Sequence, residues 1–291
     1  MHLKSLNEAK PFLKRINESN ETLGTVHTLG ALHEGHAVLI KKSASENQNT
    51  IVTVYPNKIQ LFPGLKYQFN LEEDVAFAIK NGATAVISST DEEMFPQDYR
   101  TIISQGPSHS RLNSSIFPYA STGQVTGSIR WINFTRPTKT YFGLKDIEQA
   151  ILVKRAVKEL LINTEIVYVP SIRFANGVPI SSRLLNKADE VLREVGLLFS
   201  ILNEGRELIS NGEKSSSKVL KIINDKLLKR LKHFSILYTT IVDVVDFSEM
   251  EEVKLPFIFH AAIRHKELTH FDGLLITNEY ELTNGTPVIW L

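Results

Sequence analysis

The stretch Thr25-Val-His-Thr-Leu-Gly-Ala-Leu-His-Glu-Gly-His36 decides how the chain reads. Its first residues are of β type, Gly30 interrupts them, and a helical pattern begins near Gly35. A strand that passes through glycines into a helix opens a βαβ unit. A helix N-terminus offers free N–H groups and the positive end of the helix dipole, which suits a phosphate. His33 and His36 stand three apart, so both imidazoles can face one side of that end. Together they can hold a triphosphate and meet the charge that develops as pyrophosphate leaves. Two histidines beside a turn also arise from surface composition alone, and His-x-x-His equally suits a metal.

Working outward, β-type runs at residues 24–28, 51–55, 85–88, 138–141 and 166–169 alternate with periodic stretches at 70–81 and 146–161. In the second of these Ile147, Ala150, Ile151, Val157 and Leu161 largely share one face. The alternation predicts an α/β class: a Rossmann-like domain with a parallel sheet and helices on both sides. Ligands of such sheets bind outside the carboxyl ends of the strands, where the His33 and His36 segment falls. From Asn186 the pattern changes to two helices, about 187–203 and 213–231, and then to short β-type runs at 237–245 and 257–263. This predicts a smaller α+β C-terminal domain. Asn176-Gly177 and Pro179 mark the break, giving domains at 1–174 and 175–291.

The composition limits the alternatives. At 291 residues, 42% hydrophobic and 22% charged, the chain falls in the range of folded globular proteins and has room for two domains. A formal net charge of +1 argues against a nucleic-acid partner, and the basic run at 226–232 lies on an amphipathic helical pattern as a solvated face. No cysteine is present, so thiolate chemistry is excluded. The N-terminus lacks the apolar segment of a signal peptide and no window suits a membrane span, which makes a cytoplasmic location the expectation.

Two further segments carry chemistry. Tyr141-Phe-Gly-Leu-Lys-Asp-Ile-Glu-Gln149 again runs from a strand through a glycine into a helix. There Lys145 can meet phosphate oxygens, and Asp146 can cap the helix or order a ribose; a cap and a surface lysine would look the same. In Gly177-Val-Pro-Ile-Ser-Ser-Arg183, two hydroxyls and a guanidinium can close over a triphosphate, although the same residues make an ordinary N-cap.

In this order and spacing the three segments resemble those of the pantothenate synthetases, the pantoate–β-alanine ligases. The likeness runs from about Gly24 to Asp272 and takes in Tyr67 with Asp74, Glu93-Met-Phe-Pro96 and Ile263-Arg-His-Lys-Glu-Leu-Thr-His-Phe-Asp272. It implies an enzyme that uses ATP with Mg²⁺ to make an acyl adenylate from a small carboxylic acid, then passes the acyl group to a small amine and releases AMP. It also implies a small C-terminal lid domain and a homodimer. By position, His33, His36, Lys145, Ser181, Ser182 and Arg183 would be catalytic. Thr28, Leu29, Gly30, Gly35, Gly143 and Asp146 would lie against the nucleotide, and Asp74 would serve as a metal ligand. Gln60 and Gln149 would hold the acid and Asn57 would lie near the amine.

The departures gather at the substrate positions. His27 stands for a proline and Leu29 for a methionine, and Asn57-Lys-Ile-Gln-Leu61 replaces Asn-Pro-Thr-Gln-Phe. Ala120-Ser-Thr-Gly-Gln124 replaces His-Phe-x-Gly-Val, Glu148 replaces the first glutamine of a pair, and Leu184 follows Ser182-Arg183 where asparagine is usual. Gly127 and Ser128 stand where paired valines line the acid pocket. Losing two valines removes about 1.5–3 kcal/mol of apolar contact per buried side chain. This suggests a larger, wetter space suited to an acid longer or more polar than pantoate. A relative that joins a different acid and amine, a nucleotide-binding homologue without turnover, and a cytidylyltransferase-like enzyme are the other readings.

Overall fold

The computed structural model describes residues 1–61, 68–106, 112–181, 184 and 187–291. Its first elements in chain order are β1 (His2–Leu3), α1 (Leu6–Glu18), β2 (Leu23–Thr28), α2 (Glu34–Glu46), β3 (Asn49–Val54), α3 (Leu71–Lys80) and β4 (Ala85–Ser88). Next come α4 (Asp91–Met94), α5 (Asn113–Ile116), α6 (Pro118–Thr135), β5 (Lys139–Gly143), a 3₁₀ turn at Leu144–Asp146, α7 (Ile147–Glu159) and β6 (Glu165–Val169). The remainder is β7 (Ser171–Arg173), α8 (Asp189–Ser210), α9 (Ser216–Arg230), β8 (Ser235–Asp243), β9 (Phe257–His265), β10 (Leu268–Ile276), α10 (Glu279–Asn284) and β11 (Val288–Trp290). The chain forms two compact units, Met1–His109 with Phe117–Val169, and Ser110–Ile116 with Pro170–Leu291.

In the first unit six strands lie in the order β1-β4-β3-β2-β5-β6, every neighbouring pair parallel. All six residues of β3 are buried, as a sheet covered on both faces requires. One face packs Leu23, Ile51 and Ile87 against Leu13 and Ile16 of α1 and Trp131 of α6. The other packs Val26, Val52 and Val86 against Ile40 of α2 and Ala78 of α3. β2 has β3 on one side and β5 on the other, so the chain's winding reverses between β2 and β5. These two strands pair at Gly24–Lys139 and Thr25–Thr140 and then part. Their carboxyl ends, Thr28 and Gly143, flank the crevice where ligands of this fold class bind.

Helix α6 has no counterpart in the periodicity of the sequence. Ser, Thr and Gly recur along Pro118–Thr135, and burial extends round much of it, taking in Ser121, Gly123, Val125, Thr126, Gly127, Ser128, Trp131 and Ile132. A helix buried on several sides has no polar face to set a 3.6-residue rhythm. Pro118 in its first turn begins it.

The second unit is an antiparallel sheet, β10-β9-β8, with α8 and α9 on one face. Val195, Leu198, Ile223, Leu227, Phe257 and Phe259 form its core. β7 pairs with β11, which groups it with this unit. Arg173 on β7 is 1% exposed and makes a bidentate pair with Asp272, at 2.7 and 2.6 Å, with its guanidinium over the Phe199 ring. Burial pushes the Asp272 carboxyl up, but the guanidinium overrides this and holds it well below the usual carboxylate range. Among the described residues no helix is long and apolar enough to cross a membrane.

Candidate active site

The segment between β2 and α2 is held by bonds it makes to itself and to α3. Gly30 has φ +96°, and a Cβ there would stand 2.7 Å from the Phe69 ring, so both backbone and space require glycine. Thr28 Oγ donates to the Thr53 carbonyl at 2.9 Å and accepts from the Gly30 N–H. The Asp74 carboxylate accepts from Ala31 N–H at 2.9 Å and from Leu32 N–H at 2.7 Å. Burial pushes the Asp74 pKa up, while these two N–H groups pull it down.

His33 and His36 cap α2 reciprocally. Nδ1 of His33 accepts from Gly35 N–H at 3.1 Å, and Nδ1 of His36 accepts from His33 N–H at 3.2 Å. Of the N–H groups expected open at this helix start, that of Gly35 is thus occupied by His33 Nδ1 and those of His36 and Ala37 by the His33 carbonyl. The consequence lies in the imidazoles. A nitrogen that accepts from a backbone N–H carries no proton, so each neutral ring holds its proton on Nε2 and is a donor there. Burial, with Lys145 next, pushes His33 down to about 4. Burial, with His33 next, pushes His36 down to about 3. Both rings are thus neutral near pH 7, with centroids 4.2 Å apart.

Lys145 and Asp146 sit on the 3₁₀ turn after β5, with Lys145 Nζ 3.2 Å from Asp146 Oδ1. Helix α2 packs against β5, which brings the second segment beside the first, and the charges of Lys145 and Asp146 act on both imidazoles. An added Cβ at Gly143 would meet no atom within 4 Å, which leaves that face open. Two neutral Nε2–H donors and one ammonium at the parting of β2 and β5 are a donor set that suits a polyanion.

The expected acid and amine positions lie on the α6 side of the sheet. Gln149 Nε2 donates to Ser128 Oγ at 3.4 Å, and Glu148 beside it is buried. His27 Nδ1 meets Thr53 Oγ at 3.0 Å, its Nε2 meets Thr25 Oγ at 3.3 Å, and the ring stacks on Trp131 at 6.3 Å. Burial pushes His27 down to about 3. The larger, wetter space expected at Gly127 is filled. A Cβ there would stand 2.4 Å from Asn57 Nδ2, so the asparagine amide occupies the volume a valine would need. Asn57 is 4% exposed and gives its N–H groups to Gln60 Oε1 and the Gly123 carbonyl.

Leu29 and Gly35 fall in the segment already described, the first half-buried beside Thr28 and the second in the first turn of α2. Ser181 is buried in the second unit. Ser182 and Arg183, and Tyr67 of the sequence pattern, lie outside the described residues. The two carboxylate oxygens of Asp74 are engaged by backbone N–H groups, and no group of three or more His, Asp or Glu among the described residues could hold a metal. Thr25, Thr53 and Trp131 contact His27, and Gly123 contacts Asn57, without standing out in the sequence. Gly123, four residues before Gly127, was detectable as half of a pair of small residues on one helix face.

The sequence pattern of the family described as pantoate–beta-alanine ligase matches residues 2–275. The pantothenate synthetase of Caldicellulosiruptor saccharolyticus is 32% identical over 252 residues, 86% of this chain and 89% of that protein. That of Thermosipho africanus is 31% identical over 279 residues, 94% of this chain and 99% of the relative. The crystal structure of pantothenate synthetase from Thermus thermophilus superposes with a TM-score of 0.87 at 26% identity, covering 95% of this chain and 99% of that one. The pantoate–beta-alanine ligase of Francisella tularensis, crystallised with beta-gamma ATP and beta-alanine, shares the fold, with a TM-score of 0.73 at 22% identity over 96% of this chain and 99% of that one. With the match covering nearly the whole chain and the fold agreeing, the protein belongs to the pantoate–beta-alanine ligase family, a family of ligase enzymes.

Proposed function

We propose that the chain joins pantoate to the amine of β-alanine at the expense of ATP in two steps. A carboxylate oxygen of the acid attacks the α-phosphorus of ATP, the bond to pyrophosphate breaks, and an acyl adenylate forms. The amine nitrogen then attacks the acyl carbon, the bond to the AMP oxygen breaks, and the amide, AMP and a proton are released. The observation that carries this reading is the cluster of His33, His36 and Lys145 at the crevice between β2 and β5. Neutral imidazoles with fixed Nε2–H donors meet departing pyrophosphate without first losing or gaining a proton, so no charge rearrangement opposes its release. Lys145 supplies the positive charge, and Ser181, Ser182 and Arg183 are assigned to polyphosphate by their place in the family pattern.

Magnesium fits this site as a companion of the triphosphate and not as a resident of the protein. The Asp74 oxygens serve Ala31 and Leu32, so we assign Asp74 to hold the loop and route no step through a protein-bound metal. A cytoplasmic homodimer belongs to the same proposal, and sedimentation velocity reads the dimer directly.

A second reading, an acid more polar than pantoate, is favoured by Ser128 and His27, which place hydroxyl and imidazole groups on the α6 side of the sheet. Acid-dependent exchange of pyrophosphate into ATP separates the two. Exchange that requires pantoate supports the first. Exchange with other acids while pantoate is inert supports the second, and exchange without any acid removes both.

A further inference from the structure

The turn after β3 is let into helix α6. A Cβ at Gly123 would stand 2.3 Å from the Ile59 carbonyl oxygen and 2.7 Å from the Gln60 nitrogen, and one at Gly127 would stand 2.4 Å from Asn57 Nδ2. Real side chains do not approach so closely, so the seat exists only because both positions, four apart on one helix face, are glycine. Within it Asn57 Oδ1 accepts from Ile59 N–H at 3.3 Å, while Nδ2 donates to the Gly123 carbonyl at 3.0 Å and to Gln60 Oε1 at 2.9 Å. The two backbone partners fix the amide's orientation, since a carbonyl only accepts and an N–H only donates. That orientation passes to Gln60. Its Oε1 turns to Asn57, and its Nε2–H groups have no acceptor among the described residues. Gln60 is half-buried, so these N–H groups stay within reach of a ligand as well as of solvent.

We propose that Gly127 is a specificity-determining residue: by seating Asn57 in α6 it holds Gln60 with its amide N–H groups presented to an oxygen of the acid, a carboxylate or a hydroxyl. This rests on the ligase reading above. A side chain at position 127 would evict Asn57, free Gln60 to rotate, and change which acids are preferred.

Calorimetric dissociation constants test it, measured for pantoate and for longer and more polar hydroxy acids, with and without a non-hydrolysable ATP analogue. The proteins are wild type, Gly127→Ala, Asn57→Ala and the double variant. Each single substitution changes the ratio of constants between acids by about tenfold, the effect of one positioned hydrogen bond. The double variant changes it no more than Asn57→Ala alone, because without the amide the added methyl displaces nothing. An unchanged ratio in Asn57→Ala, or single effects that simply add, overturns the proposal, whatever the variants do to thermal stability. Should Gly127→Ala fail to fold, Asn57→Ala, which only deletes atoms, decides the matter. A wild-type protein that binds acids but yields no AMP removes the ligase reading and leaves the cycle to judge the seat. One that binds no acid removes both.

Discussion

Replacing Asp74 separates a loop anchor from a metal ligand. In Asp74→Ala the N–H groups of Ala31 and Leu32 lose acceptors now at 2.9 and 2.7 Å. A hydrogen bond to a charged group contributes about 1.5–3 kcal/mol, and two that share one carboxylate do not add fully. Ala31, held at φ +53°, also loses the contact that keeps a non-glycine residue in the left-handed region, so part of the loss is regained as strain relaxes. We take the cost as about 2–4 kcal/mol. At about 2–4 °C per kcal/mol for a unit of this size, the melting point of the first unit falls by about 5–15 °C. Asp74→Asn keeps an oxygen for Leu32 but turns an N–H toward the Ala31 N–H, and loses at least about half as much. The same loop carries His33 and His36, so kcat falls about tenfold or more in both variants. Scanning calorimetry and AMP release across a Mg²⁺ titration check this. A wild-type melting point, together with a higher Mg²⁺ requirement, would show that Asp74 binds metal and that the anchoring argument is wrong.

Lys145→Ala lowers kcat/KM by about 10²-fold with little change in melting point, as expected for a charge partner half-exposed on a turn; unchanged kinetics would remove it from the site. His36→Ala lowers activity similarly and also costs about 1 kcal/mol, because the His33 N–H loses its cap; His36→Asn restores stability without restoring rate. The pH dependence follows from three half-buried imidazoles. His27 and His36 are pushed down to about 3 and His33 to about 4, whereas the unfolded chain takes up these protons near 6.5. Their contribution is therefore complete above about pH 6.5 and is lost as pH falls toward 4 and then 3, which urea midpoints along a pH series will show as a slope confined to the acid side. Arg173→Ala strands a buried carboxylate and costs about 3–5 kcal/mol, and Arg173→Met with Asp272→Leu recovers most of it; equal instability of both would contradict the account of that pair.

The parallel sheet was legible because its strands carry β-type runs bounded by glycine and turn residues, and the His33 and Lys145 segments because strand, glycine and helix succeed one another within a few residues. What escaped was decided by neighbours distant in sequence. Asn57 and Gly127 are 70 positions apart, and nothing local to either says that one fills the volume of the other. Gly127 therefore reads in sequence as lost apolar contact, and in the structure as a filled seat. Asp74 is similar: the resemblance implies a metal ligand there, and only the path of the loop reveals two N–H groups aimed at it. The imidazole tautomers required geometry as well, since three-residue spacing places the rings together but does not say which nitrogen meets the backbone.

The most direct test of the central claim is an incubation of the protein with ATP, Mg²⁺, pantoate and β-alanine, with nucleotides and amide product quantified together. The account predicts AMP and pyrophosphate in equal amounts, one amide formed per AMP, and no AMP when the acid is omitted. Release of ADP and phosphate, or AMP formed without any acid, would contradict it.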